Sequence, residues 1–560
     1  EHRLHREACA NVRLKAQRLR HALSSDRLDD ALAAAGDIAY ELKASTAAAA
    51  LSPKLYYDVY LAVTEELRLL QAYLLEFAAS GASMLEIYER VQSIVFVVPR
   101  LYLLITVGSV YIKSGQVPVK ELLSDLLEMC SAVQHSTRGL FLRAYLTHEM
   151  RDKLPKNIVA EDSVVIANQR ASQSANRGGS LEDSIDFVLR NFVEMNRLWV
   201  RMQQDFVPMS SEVRSRERKE LRLLVGTNIS TLARMESLDI ELYSESVLPQ
   251  LCEQIIACGD ATAQEYLADC IVQVFPDEFQ MKTLDQFLAM CSKLSPGINM
   301  RSIIAALTDR LARFASESPE NAALASGSMA FEIFRSHLPT IIAQSSANSR
   351  LSDMLAMYLS LLQFALKAHH DRLDYVDDIF AFCLDTLRLN SVPNSIRSAA
   401  ADGSQNGSVH GVNSVHRSSS GTPGLVSDEH RKLEGSMSRS AAFKEYDDRS
   451  QSAPVLDGPL GNGSGADEFV TVSIHAHNSD TGTETARIEL SEFSQEETIV
   501  VQILTAPIQA HASIPKILQL NHFLSLRTFL CLRTQQRVAT ALLQSQPKYE
   551  ASIGSVPDLH

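Results

Sequence analysis

The sequence predicts an all-α fold, built as an α-solenoid of antiparallel helix pairs. Three observations predict it. From about residue 10 to 390, apolar residues recur with a period near 3.6 in segments of roughly 15 to 25 residues. The breaks between these segments are short and polar, such as Cys258-Gly259-Asp260 and Ser295-Pro296-Gly297, which suit tight connections between antiparallel helices. No alternating apolar run is long enough to build a sheet. A HEAT-like array follows, although no residue-level repeat of fixed period is visible, and a compact helical bundle is the alternative.

The first strong stripe is Leu55, Val59, Val63, Leu67, Leu70 and Leu74, opened by Ser52-Pro53, a hydroxyl cap followed by proline at the first helical position. Next comes SIVFVVPRLYLLITVGSVYI, residues 93–112, an apolar stretch of membrane-spanning length interrupted by Pro99 and Arg100. A charge at mid-bilayer costs about 2.5–3.5 kcal/mol even on lenient insertion scales. Proline there removes a backbone hydrogen bond, so a helix buried in protein is the better reading and an integral membrane anchor at 93–112 the alternative. With Pro99 in the first turn, Leu101, Leu104, Ile105 and Gly108 share a stripe and Arg100 sits at the positive end of the helix dipole. A half-buried guanidinium there needs an acidic partner, in this chain or another. An internal ion pair that only holds the fold and a contact to a second protein are both open from the chemistry alone.

Further stripes run through Leu122–Val133 and Leu140–Leu146, with His135 between them in a turn or cap position. Residues 156–180, carrying SANRGGS, read as a loop. Ile185, Val188, Phe192, Met195, Trp199 and Met202 alternate by three and four, which places the single tryptophan in a core stripe. The SRERKELR run, Ser215–Arg222, reads as a solvated helix face with acid–base pairs at four-residue spacing, or otherwise as an exposed basic contact. Stripes then continue through Leu221–Leu232, Val247–Ile256, Ala263–Val274, Ile304–Phe314 and Met354–Leu366. The organisation expected is a solenoid over 1–390, a disordered Ser/Gly/Asn-rich insertion over 391–485, a diverged helical continuation over 486–545 and a tail over 546–560. Within the insertion, FVTVSIHAH at 469–477 is the only strand-like piece.

The 560 residues are 46% hydrophobic, which suits a folded chain, and 53 Lys+Arg against 67 Asp+Glu leave a formal charge of −14. That balance argues against generic nucleic-acid binding and offers no overall basic field for direct adhesion to anionic lipid. The eight cysteines include no CxxC pair and mostly fall in apolar helical patterns, as reduced core cysteines do. Cys252 and Cys258 match no zinc-finger spacing, so no metal is expected. With no signal segment at the start, the cytosol is the expected compartment. No phosphate-binding, hydrolase, metalloprotease or kinase motif occurs, so no enzyme and no cofactor are predicted.

Taken together, SPKLYYDVYLAVTEEL from Ser52, VPRLYLLITVGSVYIKS from Val98, DLLEMCSAVQHSTRGLFLRAYL from Asp125, DFVLRNFVEMNRLWVRMQ from Asp186, ERKELRLLVGTNISTLA from Glu217 and AQEYLADCIVQVFPDEF from Ala263 resemble one family. It is the large scaffold subunit of retromer, of the vacuolar protein sorting thirty-five type. The resemblance implies a non-catalytic α-solenoid, peripheral on the cytosolic face of endosomes, that serves retrograde sorting to the Golgi. It also implies an arrestin-like partner subunit bound through the PRLYL motif, here Pro99, Arg100, Leu101, Tyr102 and Leu103. Sorting nexins, a late-endosomal Rab GTPase and cargo tails are further implied partners. The family's second helical half, which cradles a phosphoesterase-fold subunit, has no clear counterpart here, so that subunit is not expected to dock. A fragment, a truncated gene model and a shortened paralogue would each give this pattern.

Overall fold

The computed structural model describes residues 2–42, 51–156, 179–202, 211–345, 350–391, 473–475, 487–491, 494–510 and 514–544. Residues 1–390 and 474–560 form one compact unit; 391–473 form another, nearly all of it outside the described residues. The disorder expected for 391–485, the loop at 157–178 and the tail from 546 therefore lie outside the described residues, save for Ser391 and the short strand Ser473–His475.

The fold is all-α, as predicted. Helix α1 (His2–Ser24) buries Ala8, Val12, Ala16, Leu19 and Ala22, and α2 (Leu28–Tyr40) answers with Ala31, Ala34, Ala35 and Ala39. Small residues on both faces let the two backbones approach closely, and the pair is among the most intimate in the chain. Helix α3 (Pro53–Ala79) begins as the sequence indicates: the Ser52 hydroxyl accepts from the Leu55 N–H at 3.4 Å and Pro53 opens the helix. Helices α4 (Met84–Gln92), α5 (Val97–Lys113), α6 (Val119–Ser131) and α7 (Ser136–Met150) follow. His135 caps α7, its Nδ1 accepting from the Arg138 N–H at 3.5 Å.

Helix α8 (Leu181–Arg201) opens with a reciprocal cap, Ser180 and Asp183 each satisfying the other's backbone N–H. It buries Ile185, Val188, Phe192, Met195 and Trp199. Helices α9 (Ser211–Glu220) and α10 (Arg222–Ala233) come next. A π-helical turn at Tyr243–Val247 then runs into α11 (Leu248–Ala257). Gly259, at φ +60°, turns the chain so that Asp260 can cap α12 (Ala261–Val274), accepting from the Ala263 N–H at 2.8 Å. The array continues with α13 (Asp277–Lys282), α14 (Leu284–Cys291), α15 (Met300–Glu317), α16 (Pro319–Gly327), α17 (Ala330–Ser345), α18 (Leu351–Ala368) and α19 (Leu373–Ser391).

Two three-residue strands, Ser473–His475 and Arg487–Glu489, pair with each other; the first falls inside the strand-like piece at 469–477. After them come α20 (Gln495–Ala510), α21 (Ile514–Leu518), α22 (Phe523–Arg527) and α23 (Leu532–Gln544). Contacts climb the chain in short steps: α7 on α8, α8 on α10, α10 on α12, α12 on α15, α15 on α18, α18 on α20 and α20 on α23. The buried apolar residues form one continuous cluster from Ala8 to Val538. Such a core, with each helix packed chiefly on helices close to it in order and α18 meeting α20 across residues 369–494, is what stacked helix pairs produce.

Candidate docking site at the start of helix α5

Helix α5 is apolar on every side because it is enclosed on every side. Pro99 and all residues from Leu101 to Ile112 are buried, against α2, α3, α4, α6 and α7. An all-round apolar helix is either a membrane span or a core element, and this one is core. Among the described residues no helix is long and apolar enough to cross a membrane, so the anchor reading of residues 93–112 is corrected: the run is a packed helix preceded by an irregular turn.

Its first turn carries the site. Phe96 precedes the helix in an extended conformation, and its carbonyl accepts the Arg100 N–H at 3.1 Å. Pro99 stands third in the helix, where a missing N–H costs nothing. Arg100 is half-buried and spends one guanidinium N–H on the Ile94 carbonyl at 3.2 Å. Among the described residues, no carboxylate lies within ion-pair distance of it. The internal ion pair that would have made Arg100 purely structural is thus not formed by these residues, and the dipole of α5 also opposes the charge.

Around this arginine the surface is apolar. Val95 is 82% exposed, Phe96 and Val97 are exposed, and Tyr40 from the end of α2 packs its ring 4.8 Å from that of Phe96. Exposed apolar residues are unremarkable singly; here they form a contiguous group beside a cation that has no carboxylate within ion-pair distance among the described residues, which makes this turn a candidate docking surface. Sequence reasoning missed Tyr40, Val95, Phe96 and Val97. Three of them lie within a run that is apolar throughout, so its pattern carries no inside–outside signal, and the fourth is distant in sequence.

The remaining members of the motif face inward. Pro99, Leu101, Tyr102 and Leu103 are buried. Tyr102 packs its ring against Tyr145 and Tyr60, with centroids at 5.2 and 6.4 Å, and its carbonyl accepts from the Thr106 hydroxyl, which also bonds the Tyr145 hydroxyl. Burial pushes the Tyr102 phenol well above its ordinary range. The Leu103 Cδ1 lies 3.7 Å from where a Cβ on Gly36 would stand, so this leucine fills the space that α2 leaves open. The five residues therefore divide: Arg100 reaches the surface, and the other four hold the turn that presents it.

A family model described as vacuolar protein sorting-associated protein 35 matches residues 4–407. The chain belongs to that family. This Vps35-family chain is 44% identical over 381 residues to vacuolar protein sorting-associated protein 35 of Dictyostelium discoideum, a match covering 67% of this chain and 45% of that protein. It is 40% identical over 369 residues to vacuolar protein sorting-associated protein 35A of Arabidopsis thaliana, covering 66% and 45%. With the Schizosaccharomyces pombe protein of the same name it shares 40% over 317 residues, 56% and 36%. The match thus spans less than half the length of each of these relatives.

Elsewhere in the Vps35-family chain, the chemistry-bearing side chains serve packing. Trp199 is fully buried; its indole donates to the Arg218 carbonyl at 2.9 Å, and the Arg218 guanidinium lies 5.0 Å from its ring centroid while pairing with Asp260 at 2.5 Å. The solvated face read for Ser215–Arg222 holds for Arg216, Lys219, Glu220 and Arg222, which are exposed, but not for Glu217 and Arg218, which are buried. A second clasp joins α7, α8 and α10. Arg143 donates to Asn191 at 3.2 Å, Asn191 to Thr147 at 2.7 Å and Thr147 to Asn228 at 3.1 Å. Burial lowers the Arg143 guanidinium below its usual range.

Cys9, His5 and Asp58 sit together, but one histidine nitrogen, Nε2, faces both the thiol at 3.6 Å and the carboxylate at 3.4 Å. A relay needs one nitrogen for each partner, and burial raises the thiol further from its reactive form. The core thiols of Cys130 and Cys252 are pushed up to about 12 by burial, which suits inert packing groups. Among the described residues, no group of three His, Cys, Asp or Glu side chains is placed to hold a metal ion.

Proposed function

We propose that this chain is a non-enzymatic scaffold of a retromer-type complex, serving endosome-to-Golgi retrieval of membrane cargo, and that an arrestin-like subunit docks on the Arg100 face. The observation that carries the proposal is the half-buried Arg100 with no carboxylate beside it among the described residues, rimmed by Val95, Phe96, Val97 and Tyr40. A guanidinium in that state gains most from a partner that brings a carboxylate and covers the apolar rim, because the pair then forms away from water. Family membership supports the scaffold reading, and the stacked helices offer docking surface along their length without needing a reaction centre. Sorting nexins, a late-endosomal Rab GTPase and cargo tails would bind other faces, and they would hold the scaffold peripherally on the endosomal membrane.

The test is a binding measurement against the arrestin-like subunit with Arg100→Glu and, separately, Phe96→Ser. Arg100 is half-buried and Phe96 exposed, so both substitutions should leave the helical circular dichroism unchanged. Charge reversal is expected to abolish binding and loss of the ring to weaken it about tenfold or more, the effect of truncating a central aromatic anchor. Undiminished binding by folded Arg100→Glu protein would remove the site.

A further inference from the structure

From Arg90 to Lys120 the chain carries four cations, Arg90, Arg100, Lys113 and Lys120, and no Asp or Glu. An acid for Arg100 therefore has to arrive from outside this stretch or be made within it. Arg90 is answered by Asp29 of α2 at 2.5 Å and Lys120 by Asp183 at 2.8 Å. Lys113 stands in the last turn of α5, where the helix dipole favours a cation. Arg100, at the opposite end of that dipole, has no carboxylate within ion-pair distance among the described residues and donates to the Ile94 carbonyl at 3.2 Å.

One hydroxyl is placed to become that acid. Ser93 is the only serine or threonine between Ser83 and Thr106, and Thr106 is buried. Ser93 itself is exposed at the end of α4, in the irregular turn that leads into α5, and its Oγ donates to the Arg90 carbonyl at 2.6 Å. It is joined to Ile94, whose carbonyl holds the Arg100 guanidinium, so the Ser93 Cα and that guanidinium lie no more than about 9 Å apart. A phosphoserine reaches about 5 Å from its Cα and pairs with an arginine at about 2.8 Å, and the difference is within the swing of the arginine side chain. The last carbonyls of α4 repel a phosphate left over them, which drives it off Arg90 Oγ-acceptor geometry and toward the nearest cation without a carboxylate. Residues 90–93, Arg-Val-Gln-Ser, also give the Arg-x-x-Ser pattern that basophilic serine kinases read, with Arg90, Gln92 and Ser93 exposed.

We propose that Ser93 is a phosphorylation site and that its phosphate closes the docking face by pairing with Arg100, a regulation that rests on the reading of Arg100 as the docking cation. In the transfer, the Ser93 Oγ attacks the γ-phosphorus of ATP, the bond to the ADP oxygen breaks, the Oγ–P bond forms and the hydroxyl proton passes to the kinase's base. The dianion then occupies the guanidinium that a partner's carboxylate would take, and it sets charge beside the apolar rim of Val95, Phe96 and Val97.

The test is made on the full chain. Incubated with magnesium ATP and a serine kinase of Arg-x-x-Ser specificity, the chain should carry phosphate on Ser93 by peptide mapping, and Arg90→Gln should lose it. With phosphoserine placed at position 93 during translation, the phosphorus resonance should titrate below about 6, the ordinary second pKa of a phosphoserine, and return to it in Arg100→Gln. The phosphorylated chain should bind the arrestin-like subunit about 30-fold or more weakly than the parent, the loss expected when one member of a desolvated charge pair is withdrawn, with helical circular dichroism unchanged. The proposal is overturned if the kinase leaves Ser93 unmodified, if the phosphate titrates alike with and without Arg100, or if the phosphorylated chain binds as tightly as the parent. Should the unmodified parent fail to bind the arrestin-like subunit, the docking reading fails, and the mapping and the titration then decide by themselves whether Ser93 is modified and pairs with Arg100.

Discussion

If Arg100 alone meets a partner while its neighbours hold the turn, two alanine substitutions three residues apart must fail in different ways. Leu103 is fully buried, with its Cδ1 in the gap left by Gly36 of α2; Leu103→Ala removes three carbons there and leaves a cavity between α2 and α5. Such changes cost about 2–5 kcal/mol. In a stacked array the loss falls on the local pairs, so the first helices should unfold before the rest. Arg100→Ala removes one partly exposed hydrogen bond to the Ile94 carbonyl, worth a net of about 0.5–1.5 kcal/mol, and should leave folding nearly unchanged. Binding reverses the order of insult. Losing one member of a desolvated charge pair costs about 2–5 kcal/mol, about 30- to 5,000-fold in Kd. Thermal melts by far-ultraviolet circular dichroism and calorimetric titration with the arrestin-like subunit separate the two effects. Arg100→Ala should melt like the parent chain and bind poorly, whereas Leu103→Ala should show an early transition. An Arg100→Ala protein that melts as early as Leu103→Ala, or that binds as tightly as the parent, would refute the division of the motif.

Three further outcomes are expected. A Cβ on Gly226 would stand 2.3 Å from the Tyr266 Oη and 3.1 Å from its Cζ. Gly226→Ala should therefore destabilise by about 1–3 kcal/mol through overpacking, and Tyr266→Phe in the same chain should recover part of it, read as a coupling in denaturant titrations. Asn191→Leu should cost about 1–3 kcal/mol, because the buried Arg143 guanidinium loses its acceptor; hydrogen exchange on α7, α8 and α10 should quicken together. His369 lies edge-on to Phe364 and Tyr375, and burial, with the nearby Arg372, holds its imidazole below the usual range. The folded state thus disfavours the protonated form, so this contribution to stability is present above about pH 6.5 and is lost as pH falls through the depressed folded value. His369→Phe should flatten that part of the pH–stability profile, and an unaltered profile would remove the assignment.

Fold class was legible because period and punctuation agree. The stripe from Ile185 to Met202 is buried as spaced, Ser52 and His135 cap where a hydroxyl or imidazole precedes an apolar run, and Gly259 turns where a left-handed residue is needed. Polar residues whose partners are distant in sequence were illegible. Arg218 sits in a run that satisfies every local rule for a solvated face, yet it is drawn in by Trp199, 19 positions earlier, and Asp260, 42 positions later. Arg143, Asn191 and Asn228 likewise carry no shared local signal, since their clasp exists only once three helices have stacked.

The proposed docking site shows the same division at the scale of one turn. Arg100 was visible because a charge inside an apolar run demands an explanation, and its environment then had to be supplied by the fold. Val95, Phe96 and Val97 read as part of a buried helix, because apolar composition looks the same whether a side chain enters the core or is left outside it. What separates them is geometry. The helix begins at Val97, Phe96 is extended, and Tyr40 arrives from the end of α2 to pack against that ring. On the proposed docking, one partner would answer both Val95, 82% exposed, and Arg100, which has no carboxylate within ion-pair distance among the described residues, since burying Val95 alone would leave the cation unanswered and pairing the cation alone would leave the rim in water. The physical demand is therefore joint, and a partner that satisfies it has to bring an acid and an apolar face together.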